Sequence, residues 1–150
     1  MGADPAVSAA GSSGVERLLR KRMPADVRLR IAFEIVATYA QVRYRMFRGD
    51  VTEVVASLRS EAVDVHDPYE AYRIGRRLGR PVRRTLDPLP WDSRCLMRSL
   101  VLLRMLARRG VVCRLVIGVR PGETFEAHAW IEHDGHPLLP TLGYERLTIV

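Results

Sequence analysis

Cys95-Leu96-Met97-Arg98-Ser99-Leu100-Val101-Leu102-Leu103-Arg104-Met105-Leu106-Ala107-Arg108-Arg109-Gly110, followed at once by Val111-Val112-Cys113-Arg114-Leu115-Val116-Ile117-Gly118-Val119, is the stretch whose reading decides the fold. Leu96, Leu100, Leu103 and Leu106 recur at helical spacing, with Arg94, Arg98, Arg104 and Arg108 gathered on the other side as a solvated face. Asp92 suits an N-cap, which predicts a helix over residues 92–109. Gly110 suits the left-handed C-terminal cap. The run after it is β-branched and apolar on both faces, as a central strand is.

Working outward toward the C-terminus, Arg120-Pro121-Gly122 turns the chain and residues 125–133 form a second strand. Asp134-Gly135 is a two-residue hairpin signal. Residues 136–139 start a third strand, and residues 144–150 extend the sheet. Toward the N-terminus, residues 81–90 read as loop. Asp67-Pro68 caps and starts a helix carrying Tyr69, Tyr72, Ile74 and Leu78, expected to stop by Gly79 and Pro81. Residues 51–58 form a short helix. Val27, Ile31, Ile35 and Tyr39 mark a longer one over residues 26–46, with Pro24 in its first turn and Gly49 ending it. Residues 15–22 suit a basic helix, and residues 1–14, rich in Gly, Ala and Ser, are expected to be disordered. The predicted fold is α+β: N-terminal helices (15–80), then a helix with a small antiparallel sheet (81–150), in one compact domain.

The chain has 150 residues, 47% of them hydrophobic, which is enough for a core. Its formal net charge is +7, carried almost wholly by arginine, since Lys21 is the only lysine. That balance favours an acidic partner. No zinc finger, aromatic RNA-binding motif or glycine-rich phosphate loop accompanies it, so nucleic acid is not expected. Two cysteines make no disulfide framework, and no apolar run reads as a signal peptide or a membrane span. The expected compartment is the cytoplasm, which keeps a thiol reduced.

Cys95 falls in the first helical turn, where amides lack intrahelical partners and the dipole favours negative charge. Thiolate is the nucleophilic form of cysteine. His128 stands on the second strand between Ala127 and Ala129, small residues that leave room beside it. The pair suits nucleophile and general base, the imidazole then acting as acid toward a leaving amine. Asparagine is absent from the chain, so none can orient the ring. Cys113 reads as a buried small hydrophobe. His133 and His136 read as a wet hairpin tip, and no metal site or other cofactor is expected.

Cys95-Leu96-Met97-Arg98-Ser99-Leu100, Arg114-Leu115-Val116-Ile117-Gly118-Val119 and His128-Ala129-Trp130-Ile131-Glu132 together resemble the lasso-peptide B2 proteins. These are transglutaminase-like, papain-related leader peptidases of ribosomal peptide biosynthesis. The resemblance covers residues 81–140 well and the helical part loosely. It implies a cysteine peptidase core that cuts the leader from a lasso precursor peptide through an acyl-enzyme. It also implies two partners: a separate leader-recognition protein (B1 type) and an asparagine-synthetase-like macrolactam cyclase. Trp91, Arg94, Arg98 and Trp130 are candidate contacts for the leader or a partner. The family usually places an aspartate about a dozen residues after the histidine, where this chain has Leu139-Pro140-Thr141. The orienter is therefore a main-chain carbonyl or one of Thr141, Asp134 and Glu145. The missing acid also fits a second class, a weak or inactive transglutaminase-like binding module in the same complex. A third, a transglutaminase or amidase on a small molecule, shares the nucleophile.

Overall fold

A computed structural model describes residues 24–59, 67–89, 94–122, 124 and 126–150. The expectations for residues 1–14 and 15–22, for the Asp92 cap and for Trp91 lie outside the described residues.

Helix α1 (Ala25–Arg48) is amphipathic by spacing, with Ile35, Thr38 and Val42 buried along one stripe. Asp26 in the first turn and Arg45 and Arg48 in the last complement the helix dipole. Leu29, Phe33, Val36, Tyr44 and Phe47 leave a second apolar stripe exposed. Helix α2 (Val51–Arg59) starts where Asp50 Oδ1 accepts the Glu53 amide at 3.0 Å, and it buries Val54, Val55 and Leu58.

Helix α3 (Pro68–Leu86) is capped by Asp67, whose side chain accepts the amides of Tyr69 and Glu70. It does not stop at Gly79 and Pro81, and residues 81–86 are helix rather than loop. Apolar spacing continues through Leu78, Val82 and Leu86, all buried. An interior proline costs about 3 kcal/mol. Burying two further aliphatic side chains contributes about 1.5–3 kcal/mol each, which offsets it. Gly75 and Gly79 let α3 lie close to the sheet's far end: a Cβ at Gly75 would stand 2.6 Å from Leu138.

Helix α4 (Arg94–Ala107) is central, and every residue from Ser99 to Ala107 is buried. The expected solvated arginine face is corrected at Arg104. Arg104 is buried and donates to the Leu58 carbonyl. Arg108 reaches Thr38 and Gln41 of α1, and Arg98 pairs with Asp87 just past α3. Walled by three helices on one side and a sheet on the other, α4 holds Arg104 inside, while Arg98 is half-buried and Arg108, just past the helix end, is exposed. Gly110 follows with φ 75°, the left-handed cap expected of it.

The sheet is antiparallel, with strand order β3-β2-β1-β4 for β1 (Arg114–Arg120), β2 (Glu126–His133), β3 (His136–Pro137) and β4 (Glu145–Ile149). Asp134 and Gly135 take φ 47° and 78°, as a two-residue hairpin turn demands. The third strand is shorter than expected, ending at Pro137, with one further backbone bond from the Leu138 amide to the Ile131 carbonyl at 2.9 Å. The last strand crosses to the far edge and pairs with β1. Alternation sorts the two faces. Leu115, Ala129 and Ile131 join the helical core. On the other face Gly118 pairs with His128 and Val116 with Trp130. The result is an α+β domain: four described helices on one side of a small antiparallel sheet.

Candidate active site

Cys95 occupies the first described turn of α4, half-buried against the core. Four residues on, one turn along the same side of the helix, Ser99 Oγ donates to the Ala129 carbonyl at 3.0 Å. That bond is buried and fastens the start of α4 to β2 beside His128. A hydroxyl among leucines would be costly without such an acceptor.

His128 Nε2 donates to the Pro140 carbonyl at 2.9 Å. A carbonyl can only accept, so Nε2 carries the proton and Nδ1 of the neutral ring is the basic nitrogen. The ring stacks 6.0 Å from Trp130 on one side and lies 5.1 Å from the Tyr144 ring on the other. Tyr144 donates to Glu126 Oε2 at 3.0 Å, and that bond raises its phenol above the ordinary tyrosine value. Slight desolvation and the negative charge of Glu126 add to the rise, while Arg120 opposes it. Tyr144 is in ring contact with His128. Among the described residues no hydrogen bond joins the Cys95 thiol to the imidazole directly.

The group that meets the His128 ring by hydrogen bond is backbone, one residue before Thr141. Thr141 itself accepts the Tyr144 amide through its carbonyl. Asp134 stays in the hairpin, 3.5 Å from His133. Glu145 pairs with Val119 and so lies on the opposite face of the sheet from His128. Glu132 is buried, accepting the Trp130 indole at 2.8 Å and Arg146 at 2.6 Å. None of these acids meets the ring.

Two further expectations are corrected here. Trp130 is 2% exposed and is a wall behind His128 rather than a docking surface. His133 is buried, with Nδ1 donating to the Val112 carbonyl at 2.8 Å, so only His136 is at a wet hairpin tip. Cys113 is buried as expected. Of the other candidate contacts, Arg94 opens α4 and Arg98 is held by Asp87.

The Transglutaminase-like superfamily matches residues 25–150 of the chain. The chain belongs to that superfamily. The match takes in α1 to α3 as well as the thiol helix and the sheet, so the helical part is integral to the transglutaminase-like domain. No curated protein matches the chain, and no solved structure matches it. A main-chain carbonyl was among the expected partners of the ring, though not which one; Ser99 and Tyr144 are the parts of this candidate site that sequence reading missed. Ser99 left a signal, a lone hydroxyl one turn after Cys95. Tyr144 left none, since it reaches the ring only through strand pairing.

Proposed function

We propose that this transglutaminase-like domain is a cysteine peptidase that removes the leader from a lasso precursor peptide during its maturation. The observation that carries the reading is the hydrogen bond from His128 Nε2 to the Pro140 carbonyl. It fixes the tautomer that leaves Nδ1 as the base, the state a thiol nucleophile needs. The Ser99–Ala129 bond supports the reading by holding the Cys95 turn against the strand that carries the base. Local similarity to B2 leader peptidases supplies the substrate class.

In this mechanism Nδ1 takes the Cys95 proton as Sγ attacks the scissile carbonyl carbon. The same proton goes to the departing amine, leaving a thioester on Cys95. Nδ1 then takes a proton from water, which attacks the thioester and releases the leader with a new carboxylate. A leader-recognition protein of the B1 type presents the precursor, and an asparagine-synthetase-like cyclase takes the freed core peptide. The reaction belongs in a reducing compartment such as the cytoplasm.

The test is incubation of the chain with a lasso precursor and its leader-binding partner, followed by mass detection. Leader release by the wild type and none by Cys95→Ala is the expected result. A second reading is favoured by the absence, among the described residues, of a carboxylate hydrogen-bonded to His128: a weak or inactive module that binds within the same complex. Capture of the partner with no released leader from the wild type would establish that reading instead.

A further inference from the structure

The outer face of α3 carries a ladder of arginines. Arg73, Arg76, Arg77, Arg80, Arg83 and Arg84 recur at three- and four-residue spacing, and all are exposed. At 1.5 Å per residue the ladder spans about 16 Å. Arg76 lies over the Tyr72 ring. The other five form no ion pair among the described residues. By contrast, Arg98 is paired with Asp87, Arg109 with Glu34 and Arg146 with Glu132. Like charges along one helix face repel one another until something neutralises them.

Two grooves flank this ladder, and Arg77 and Arg80 rim both. One, of about 550 Å³, lies between α3 and α1 over Leu29, Ala32 and Pro81. The other, of about 530 Å³, lies between α3 and the chain after β3, over Leu138, Leu139 and Pro140.

We propose that this face docks an acidic peptide segment whose carboxylates are spaced by aliphatic side chains. Guanidinium forks match carboxylates two bonds at a time. The aliphatic and proline floors accept leucine-like side chains between them. Among the described residues neither groove is lined by Phe, Tyr or Trp, the platforms on which the bases of a single strand stack. The arginine face itself interleaves no exposed Leu, Ile or Phe of α3, which insertion into lipid requires. The second groove ends at Pro140, whose carbonyl holds His128, so a peptide seated there lies beside the candidate site. Docking needs no thiol chemistry and is separable from the proposed cleavage.

The experiment uses the full chain, both wild type and Cys95→Ala, and a fluorescein-labelled Asp/Glu peptide with leucine at every third or fourth position. Fluorescence anisotropy should show binding by both proteins. It should weaken as salt rises, since the Debye length falls from about 10 Å at 0.1 M to about 3 Å at 1 M. The double variant R77E/R80E should bind at least about tenfold more weakly, because repulsion replaces attraction. R77Q/R80Q should fall between, and Arg48→Glu, which lines neither groove, should bind as wild type. Circular dichroism on each variant confirms the fold. Equal binding by R77E/R80E and wild type overturns the proposal, as does an equal loss in Arg48→Glu. Tighter binding of labelled oligouridine or of phosphatidylglycerol vesicles than of the peptide, at the same salt, also overturns it.

Discussion

At His128 a neutral carbonyl accepts the Nε2 proton where a carboxylate would carry full charge. Both groups fix the tautomer, but a carbonyl stabilises the imidazolium less, so slow turnover is expected of this site. Cys95→Ala should abolish leader release with an unchanged circular dichroism spectrum; product at the wild-type level would remove Cys95 from the mechanism. His128→Ala should lower kcat by about 10²–10⁴-fold, the range attached to a positioned general base. The acids behave differently, and their side chains say how. Glu145→Ala and Asp134→Ala should leave kcat near wild type, since Glu145 lies across the sheet and Asp134 serves the turn. Glu132→Ala should lower the melting temperature, because it strands a buried indole N–H and unpairs Arg146. Turnover and melting curves on the three decide this. If one acid alone lowers turnover as far as His128→Ala with its melting temperature intact, a carboxylate meets the ring during the reaction.

Among the elements, α3 sets local preference against burial. Gly75 sits mid-helix, where alanine is favoured by about 1 kcal/mol in a helix with no neighbours. Here a Cβ would meet the buried Leu138 side chain, which must shift to admit it. Gly75→Ala should therefore destabilise the domain by about 1–3 kcal/mol, the usual cost of overpacking, as read by urea unfolding. Pro81→Ala should do the reverse and raise the melting temperature by several degrees, since it restores a bond to the Arg77 carbonyl. The same helix shows where sequence reading stops. Its start was legible because Asp67-Pro68 is a local signal. Its end was not, because Gly79 and Pro81 are breakers only until Val82 and Leu86 find a core to enter. The strands from Arg114 onward were legible from apolar runs and turn residues, and Asp134-Gly135 took the conformation its chemistry requires. The crossing of β4 to pair with β1 depends on edge accessibility, which no local pattern encodes. For the candidate site, Cys95 and His128 were picked out by residue type and position, and the fold sets them in the first described turn of α4 and on β2. The burial of Arg104, His133 and Trp130 was not, because polarity predicts exposure only where a fold leaves no internal acceptor. Each of the three has one, in Leu58, Val112 and Glu132.

Across the whole molecule, the first and the central helices are tied by Glu34 and Arg109. Both guanidinium Nη atoms reach the carboxylate, at 2.8 and 2.7 Å. The hydrogen bond to Arg109 is the chief cause holding Glu34 below the ordinary glutamate value, against a smaller opposing effect of burial. A depressed carboxylate binds its proton less readily folded than unfolded. Its stabilisation is therefore present above the unfolded value, about pH 4.3 for glutamate, and is lost as pH falls through the lower folded value. Glu34→Gln should cost about 1 kcal/mol at neutral pH. Wild type and variant should converge in stability in acid, and a gap that persists there would assign Glu34 a packing role instead. Because this tie bridges α1 to the end of α4, its loss should be felt at the global transition rather than in one element.

The grip of Pro140 on His128 has a consequence for how such a site is inherited. Every amino acid has a main-chain carbonyl, so no point substitution deletes this acceptor outright. Nor does one strengthen it, and selection has no side chain there to tune. What the grip depends on is chain length between the Asp134-Gly135 turn and residue 140, which sets where that carbonyl arrives. Conservative replacements at position 140 should keep turnover within a few-fold, while inserting one residue between Pro137 and Pro140 should abolish it. Variation at this site is therefore written in insertions and deletions more than in codon changes.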